Sequence, residues 1–265
     1  MTNSEPNYKN LKYIKDAAVV TISLNRPDSA NGLNTALAAD LASASKRCAD
    51  DASVKAVILT GEGRFFCAGG DIQAMADFGD QVSAGLKGLA DDLHKAISTF
   101  ARMDAPLIVA VNGTAAGAGL SMAVAGDLVL AAESAKFTMA YTKAGLSPDG
   151  SSSYYLPRLI GLRRTQELMY SNRVLSAAEA QQWGLINKVV AEDDLLDEAR
   201  KLAAMFTKGA KGANAAVKQL LSQAFDNSLE TQMELEGVAI AENAGSSDGL
   251  EGVAAFLEKR APKFD

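Results

Sequence analysis

Residues 107–130, LIVAVNGTAAGAGLSMAVAGDLVL, leave a chain few ways to fold. Leu107-Ile108-Val109-Ala110-Val111 is an unbroken apolar run of strand length, the pattern of a strand buried on both faces. Asn112-Gly113 ends it with a turn dipeptide. From 113 to 119 the side chains are small, six Ala or Gly plus Thr114, and a mostly apolar segment opens at Leu120. Strand, side-chain-poor loop, helix start: this order leaves backbone N–H groups bare at the positive end of a helix dipole. Such a loop suits an anion, or an oxygen that becomes anionic during a reaction. A tight packing loop needs the same small residues, and this stretch alone does not choose between the two.

A second segment has the same form. A strand over 54–60 runs through Gly61-Glu62-Gly63-Arg64-Phe65-Phe66 into Cys67-Ala68-Gly69-Gly70-Asp71, with a helix start at Ile72. Two such loops on neighbouring strands would aim two N–H groups at one oxygen. Before it, 17–24 reads as a strand broken by Asn25-Arg26-Pro27-Asp28, and Asn34-Thr35 can cap a helix carrying Leu37, Leu41, Ala44 and Cys48 on one face. Val82, Leu86, Leu89, Leu93, Ile97 and Phe100 mark a long amphipathic helix. His94, the one histidine, lies beside that stripe, where a lone histidine is more often structural than catalytic. Short strands are expected at 128–131, 137–140 and 185–190. Between them lie a loop at 145–150 that holds Asp149 between Pro148 and Gly150, and a capping box at Ser176–Glu179 closed by Gly184. From 193 onward four apolar stripes at helical spacing follow with no strand signal. The reading is an α/β core over 1–194 and a helical region over 195–265.

Several functions are excluded early. A net charge of −6 argues against nucleic acid or an anionic membrane as partner. One histidine and two isolated cysteines, Cys48 and Cys67, offer no metal set and suit a reducing compartment. The N-terminus, MTNSEPNYKN, shows no signal peptide, and Asp127 interrupts the longest apolar segment, so a cytoplasmic protein is expected. Gly117-Ala118-Gly119 begins a dinucleotide fingerprint, but Met122 holds its third glycine position. No Gly-x-Ser-x-Gly elbow is present.

Phe66-Cys67-Ala68-Gly69-Gly70-Asp71, Ala110-Val111-Asn112-Gly113 through Gly119, and 175–190 together resemble the enoyl-CoA hydratase/isomerase (crotonase) superfamily. The resemblance runs from about residue 17 to 264. It implies a spiral of ββα units with a C-terminal helical trimerisation region, as a homotrimer or a dimer of trimers. The implied substrate is an acyl-CoA thioester whose coenzyme A is part of the substrate, with no separate cofactor. It further implies that the N–H groups of Gly70 and Ala118 hold the thioester oxygen. Ala30, Ala68, Asp71, Ile72, His94, Ser121, Tyr141 and Phe256 are placed by it around the acyl-CoA, with Arg26 and Lys259 near the phosphates. A solvated surface charge is the plainer reading of both cations.

Departures from the family pattern narrow the chemistry. The two glutamates with which the hydratases handle water fall here on Ser121 and Tyr141, neither of which can act as a carboxylate base. Asp149 is the remaining candidate, expected to be buried beside Leu146 and Pro148. Lys143-Ala144-Gly145-Leu146-Ser147-Pro148-Asp149 and the ending 251–260 are similar to 1,2-epoxyphenylacetyl-CoA isomerases, and dienoyl-CoA isomerases also place an aspartate there. The expectation is therefore an acyl-CoA isomerase. A competing resemblance is to 4-chlorobenzoyl-CoA dehalogenases, where this aspartate is a nucleophile assisted by a helix histidine that falls on His94. Hydration, as by an enoyl-CoA hydratase, and acyl-CoA binding without catalysis both stay open at the level of sequence.

Overall fold

The computed structural model describes residues 8–264; the segment that carries the signal-peptide reading lies mostly outside them. β1 (Leu11–Asp16) and β2 (Val19–Leu24) form an antiparallel pair, and α1 (Thr35–Asp50) follows with Asn34 Oδ1 accepting the Leu37 N–H as its cap. The chain then repeats one pattern. β3 (Ala56–Gly61) and β4 (Phe65–Cys67) lead into α2 (Ile72–Ala76) and α3 (Val82–Arg102). Next, β5 (Leu107–Val111) and β6 (Thr114–Ala116) lead into α4 (Ala118–Val124). β7 (Leu128–Ala132) and β8 (Lys136–Thr138) lead into α5 (Ser152–Ser171). β9 (Leu175–Ser176), α6 (Ala177–Trp183) and β10 (Lys188–Val190) close the core.

In each repeat the first strand joins one sheet and the second joins another. The larger sheet runs β1-β2-β3-β5-β7-β10, parallel from β2 onward, and the smaller runs β4-β6-β8-β9. This is the spiral of ββα units that the resemblance implies. β3 and β5 are buried throughout on both faces, apart from Gly61, which is why they read as continuous apolar runs.

Three sequence expectations are corrected. Thr114–Ala116, read as part of a loop, is β6: its residues are too small to give a strand signal, but they pair with β4 and β8. The strand expected at 137–140 is Lys136–Thr138, since Ala140 takes a left-handed φ of 53°. The one expected at 185–190 shortens to Lys188–Val190. β1 and α5 gave no usable signal. In β1 the side chains are mostly exposed, with Ile14 57% exposed, as on a sheet edge. Helix α5 is broken at Gly161, whose φ of 77° interrupts any single apolar stripe.

The C-terminal region consists of α7 (Leu195–Thr207), α8 (Lys211–Gln223), α9 (Leu229–Gly245) and α10 (Ser247–Leu257). α7 belongs to the core packing, with Leu195, Ala199 and Ala203 buried against Ile58, Ile108 and Leu130 of the larger sheet. α8 is tied down by one buried cation. Lys218 Nζ donates to the carbonyls of Phe100 (2.6 Å) and Ala105 (3.1 Å) and pairs with Asp127 Oδ2 at 2.7 Å, using all three of its donors. The same Asp127 oxygen accepts the Leu107 N–H at 2.7 Å, so the residue that interrupts the apolar segment fixes the entry to β5. No helix among the described residues is long and apolar enough to cross a membrane.

Replacing Lys218 by Ala removes the partner of Asp127 and leaves two carbonyls unpaired. Because Asp127 keeps some contact with water, the expected loss is about 2–4 kcal/mol, read from urea-unfolding midpoints. An unchanged midpoint would show that α8 is not held through this contact.

Candidate active site

The two small-residue loops end side by side because β4 and β6 are parallel neighbours, with Phe65 opposite Thr114 and Cys67 opposite Ala115. At their meeting point neither backbone carries a side chain. Gly117 has φ 50°, ψ −121°, which disfavours any residue with a Cβ, and a Cβ there would lie 3.6 Å from the Gly69 Cα. At Gly119 a Cβ would come within 2.2 Å of the Cys67 carbonyl, so α4 can start against β4 only with glycine at that position.

Each loop brings one residue to the same cavity. Leu33 N–H donates to the Gly69 carbonyl at 2.7 Å and Asp71 N–H to the Leu33 carbonyl at 2.9 Å. That parallel bridge turns the N–H of Gly70, between them, to the opposite side. Ala118 is the first residue of α4, and its N–H precedes the first turn bond, which runs from Ser121 N–H to the Gly117 carbonyl at 3.0 Å. Gly70 and Ala118 both line a cavity of about 360 Å³ whose other walls are mainly apolar, from Leu33, Met75, Leu86 and Leu93. The flexible end of Met75 lies over Gly70, where an added Cβ would meet it at 2.0 Å.

Asp149 is the one carboxylate among the described lining residues. Its position is set through its backbone. The Asp149 carbonyl accepts the hydroxyls of Ser121 (2.7 Å) and Ser152 (3.0 Å), and Tyr141 Oη reaches both that carbonyl and Ser121 Oγ at 3.3 Å. Burial pushes the Tyr141 phenol well above its ordinary pKa, so it stays protonated and able to donate. Ser121 and Tyr141, at the positions of the hydratase glutamates, thus form a clamp on the loop that carries the acid. The expectation that the carboxylate is buried beside Leu146 and Pro148 is corrected: its side chain is 39% exposed, and Oδ1 lies 2.7 Å from His94 Nε2 on α3. His94, read from the sequence as more often structural, is therefore the direct partner of the candidate acid.

Other expected residues are placed differently. Arg26 is not free for a phosphate: it pairs with Asp71 Oδ2 at 2.8 Å and donates to the Gly32 carbonyl, with its side chain only 17% exposed. Asp71 caps α2 by accepting the Ala74 N–H at 3.1 Å. Burial opposes its ionisation, but the bonds from Ala74 and Arg26 outweigh that and hold the carboxyl below its ordinary value. Ala30, with φ 50°, accepts the Ala68 N–H at 3.0 Å, which joins the loop after β2 to the loop after β4. Ile72 is exposed at the start of α2. Phe256 (83% exposed), in the last turn of α10, and Lys259, just past the end of that helix, lie outside the cavity lining. The Cys67 thiol, pushed to about 12 by burial, stays neutral between the loops.

Two asparagines have a role that the sequence does not show. Buried Asn31 donates to the carbonyls of Glu62 (3.0 Å) and Phe65 (2.7 Å), and Asn112 accepts the Gly61 N–H (3.1 Å) and donates to the Gly63 carbonyl (2.8 Å). They pin the turn between β3 and β4. Asn112-Gly113 signals only a turn, and nothing in the spacing marks Asn31 as a pin.

The family model described as enoyl-CoA hydratase/isomerase matches residues 15–265. The chain belongs to the enoyl-CoA hydratase/isomerase family. It is 38% identical over 257 residues to the 1,2-epoxyphenylacetyl-CoA isomerase of Escherichia coli (strain K12), covering 94% of this chain and 95% of that protein. It is also 33% identical to 4-chlorobenzoyl coenzyme A dehalogenase-2 of an Arthrobacter species, over 91% of this chain and 88% of the relative. Among solved structures, an enoyl-CoA hydratase from Polaromonas sp. JS666 superposes with a TM-score of 0.92 at 34% identity, covering 96% of this chain and 99% of the other. Relatives named for isomerisation, dehalogenation and hydration all match this chain over most of its length. An acyl-CoA thioester substrate is consistent with the family, and the reaction has to be argued from the site.

Proposed function

We propose that this protein is an acyl-CoA isomerase that moves a double bond, or rearranges a strained ring, by proton transfer beside a thioester. The observation that carries the reading is the cavity that Gly70, Ala118 and Asp149 line together, where the first two would offer N–H groups and the third a carboxylate. A thioester oxygen bound to the two N–H groups gathers negative charge as a proton leaves the neighbouring carbon. Each such donor contributes on the order of 3 kcal/mol to the transition state. Asp149 takes that proton at one carbon and returns it at another. Coenzyme A enters as part of the substrate, and no separate cofactor has a role. With Ser121 and Tyr141 holding the Asp149 carbonyl, no second carboxylate among the described residues lines the cavity to activate water, so hydration of crotonyl-CoA should be weak.

The His94–Asp149 bond favours a second reading, in which Asp149 displaces chloride from a 4-chlorobenzoyl-CoA and His94 then serves as base for hydrolysis. A homologue that only bound acyl-CoA would have no need of a carboxylate beside the hole.

Incubation with a 3-enoyl-CoA or an epoxyphenylacetyl-CoA should give rearranged product, followed by chromatography. Asp149→Asn should lower that rate by about 10²–10⁴-fold while leaving binding of the CoA ester nearly intact. Release of chloride from chlorobenzoyl-CoA with an ester trapped on Asp149 would establish the dehalogenase reading instead.

The assembly proposed with this function is a trimer. α9 has no buried residue, while Leu229, Met233 and Ile240 along it are 69%, 51% and 72% exposed, and Phe256 and Leu257 of α10 are bare as well. Continuous apolar faces of this kind mark contact with another chain. Sedimentation should give a species of at least three chains at micromolar concentration. A stable monomer would contradict the assembly.

A further inference from the structure

The clamp on Asp149 holds one hydrogen-bond donor in surplus. A carbonyl oxygen has two lone pairs, and the hydroxyls of Ser121 at 2.7 Å and Ser152 at 3.0 Å already fill those of Asp149. Tyr141 Oη comes third, at 3.3 Å, and its contact with Ser121 Oγ is also 3.3 Å. Hydroxyl bonds to oxygen usually span about 2.5–3.0 Å, so neither contact makes full use of the phenol proton. The backbone of Asp149 therefore keeps its place on the two serines when Tyr141 turns its proton elsewhere.

Tyr141 also lines the acyl cavity together with Asp149. The other polar side chains among the described lining residues are Ser83, Lys87 and Ser147, all exposed, and Lys87 is paired with Asp91. Tyr141 is partly buried and packs against the core, and burial keeps its phenol neutral. An acyl group that fills the cavity without polar atoms shuts water away from this hydroxyl and gives it no better partner, which is unfavourable. An acyl group with an oxygen near the acid supplies one.

We infer that Tyr141 donates a hydrogen bond to an oxygen carried by the acyl group, so that the site favours epoxides close to the thioester over plain 3-enoyl chains. The inference rests on the isomerase reading and chooses between the two rearrangements which that reading leaves open. In a 3,4-epoxyacyl-CoA, Asp149 takes the proton from C2, and the electron pair left behind forms the C2–C3 double bond. The C3–O bond breaks and its pair goes to the oxygen. The protonated Asp149 then gives its proton to that oxygen, which yields the isomeric 4-hydroxy-2-enoyl-CoA with no other reagent. Tyr141 keeps its own proton throughout and holds the oxygen while charge collects on it. A site with a donor for a substrate oxygen discriminates strongly, because the analogue lacking that oxygen leaves the donor unpaired.

The test compares a 3-enoyl-CoA with the 3,4-epoxyacyl-CoA of the same chain length, both followed by chromatography with the full-length protein. Loss of one donor to a developing oxyanion lowers a rate by about 10²–10³-fold. Tyr141→Phe should therefore lower the epoxide rate about 10²-fold further than the enoyl rate, which falls only as far as Tyr141 helps to hold the loop. Ser121→Ala loosens the same carbonyl but removes no donor from the substrate, and should lower both rates alike. Equal losses on both substrates in Tyr141→Phe would make the phenol a support for the loop and overturn the inference. Enoyl turnover by the unmodified protein with no opening of the epoxide would overturn it too, and would leave the isomerase reading standing. If the unmodified protein rearranges neither substrate, that reading falls and this inference with it.

Discussion

Two backbone segments can offer hydrogen bonds to one oxygen only if they run close together with nothing between them. Here that approach occurs after β4 and β6, where Gly69 faces Gly117 and α4 begins against the Cys67 carbonyl. Much of the surrounding architecture serves this approach. The parallel pairing of the smaller sheet sets the direction of both loops, Asn31 and Asn112 fix the turn leading into β4, and the Arg26–Asp71 pair holds the exit from the first loop. A side chain at Gly119 would push α4 off β4 and carry the Ala118 N–H with it.

The acid is held by a separate device. Its carbonyl is gripped by hydroxyls from α4, from the loop after β8 and from α5, while its carboxylate is left partly in solvent and bonded to α3. Three successive ββα units therefore converge on one residue. Lys218 ties the C-terminal end of α3, and with it the helix that carries His94, to α8. Fixing the backbone of Asp149 rather than its carboxylate leaves the acid free to change protonation state without losing its place.

How much of this the sequence shows depends on the range of the interaction. β3 and β5 are doubly buried, so their apolar runs are plain, and the Asn34 and Ser176 caps are local enough to be recognised by spacing. The loops at Gly70 and Ala118 are marked by an unusual lack of side chains. By contrast, Ser121, Tyr141 and Asp149 meet only after the spiral has closed, so the clamp leaves no pattern in the chain. The same holds for His94, which sits 55 positions from its partner and looks from the sequence like an ordinary helix residue. Arg26 misleads for the opposite reason: its charge suggests a phosphate, but the fold commits it to Asp71. Thr114–Ala116 is silent because residues small enough to let the loops meet are also too small to announce a strand.

Everything proposed for this site requires that the N–H groups of Gly70 and Ala118 together take the thioester oxygen. Difference infrared spectroscopy of an unreactive acyl-CoA, ¹³C-labelled at its carbonyl, reads that contact directly. Two hydrogen bonds aimed at the oxygen lengthen the C=O bond, so the stretching frequency should fall below that of the same thioester free in water. A bound carbonyl with the frequency of the free one, or a higher one, would mean that the oxygen lies elsewhere in the cavity and that the paired loops are packing alone.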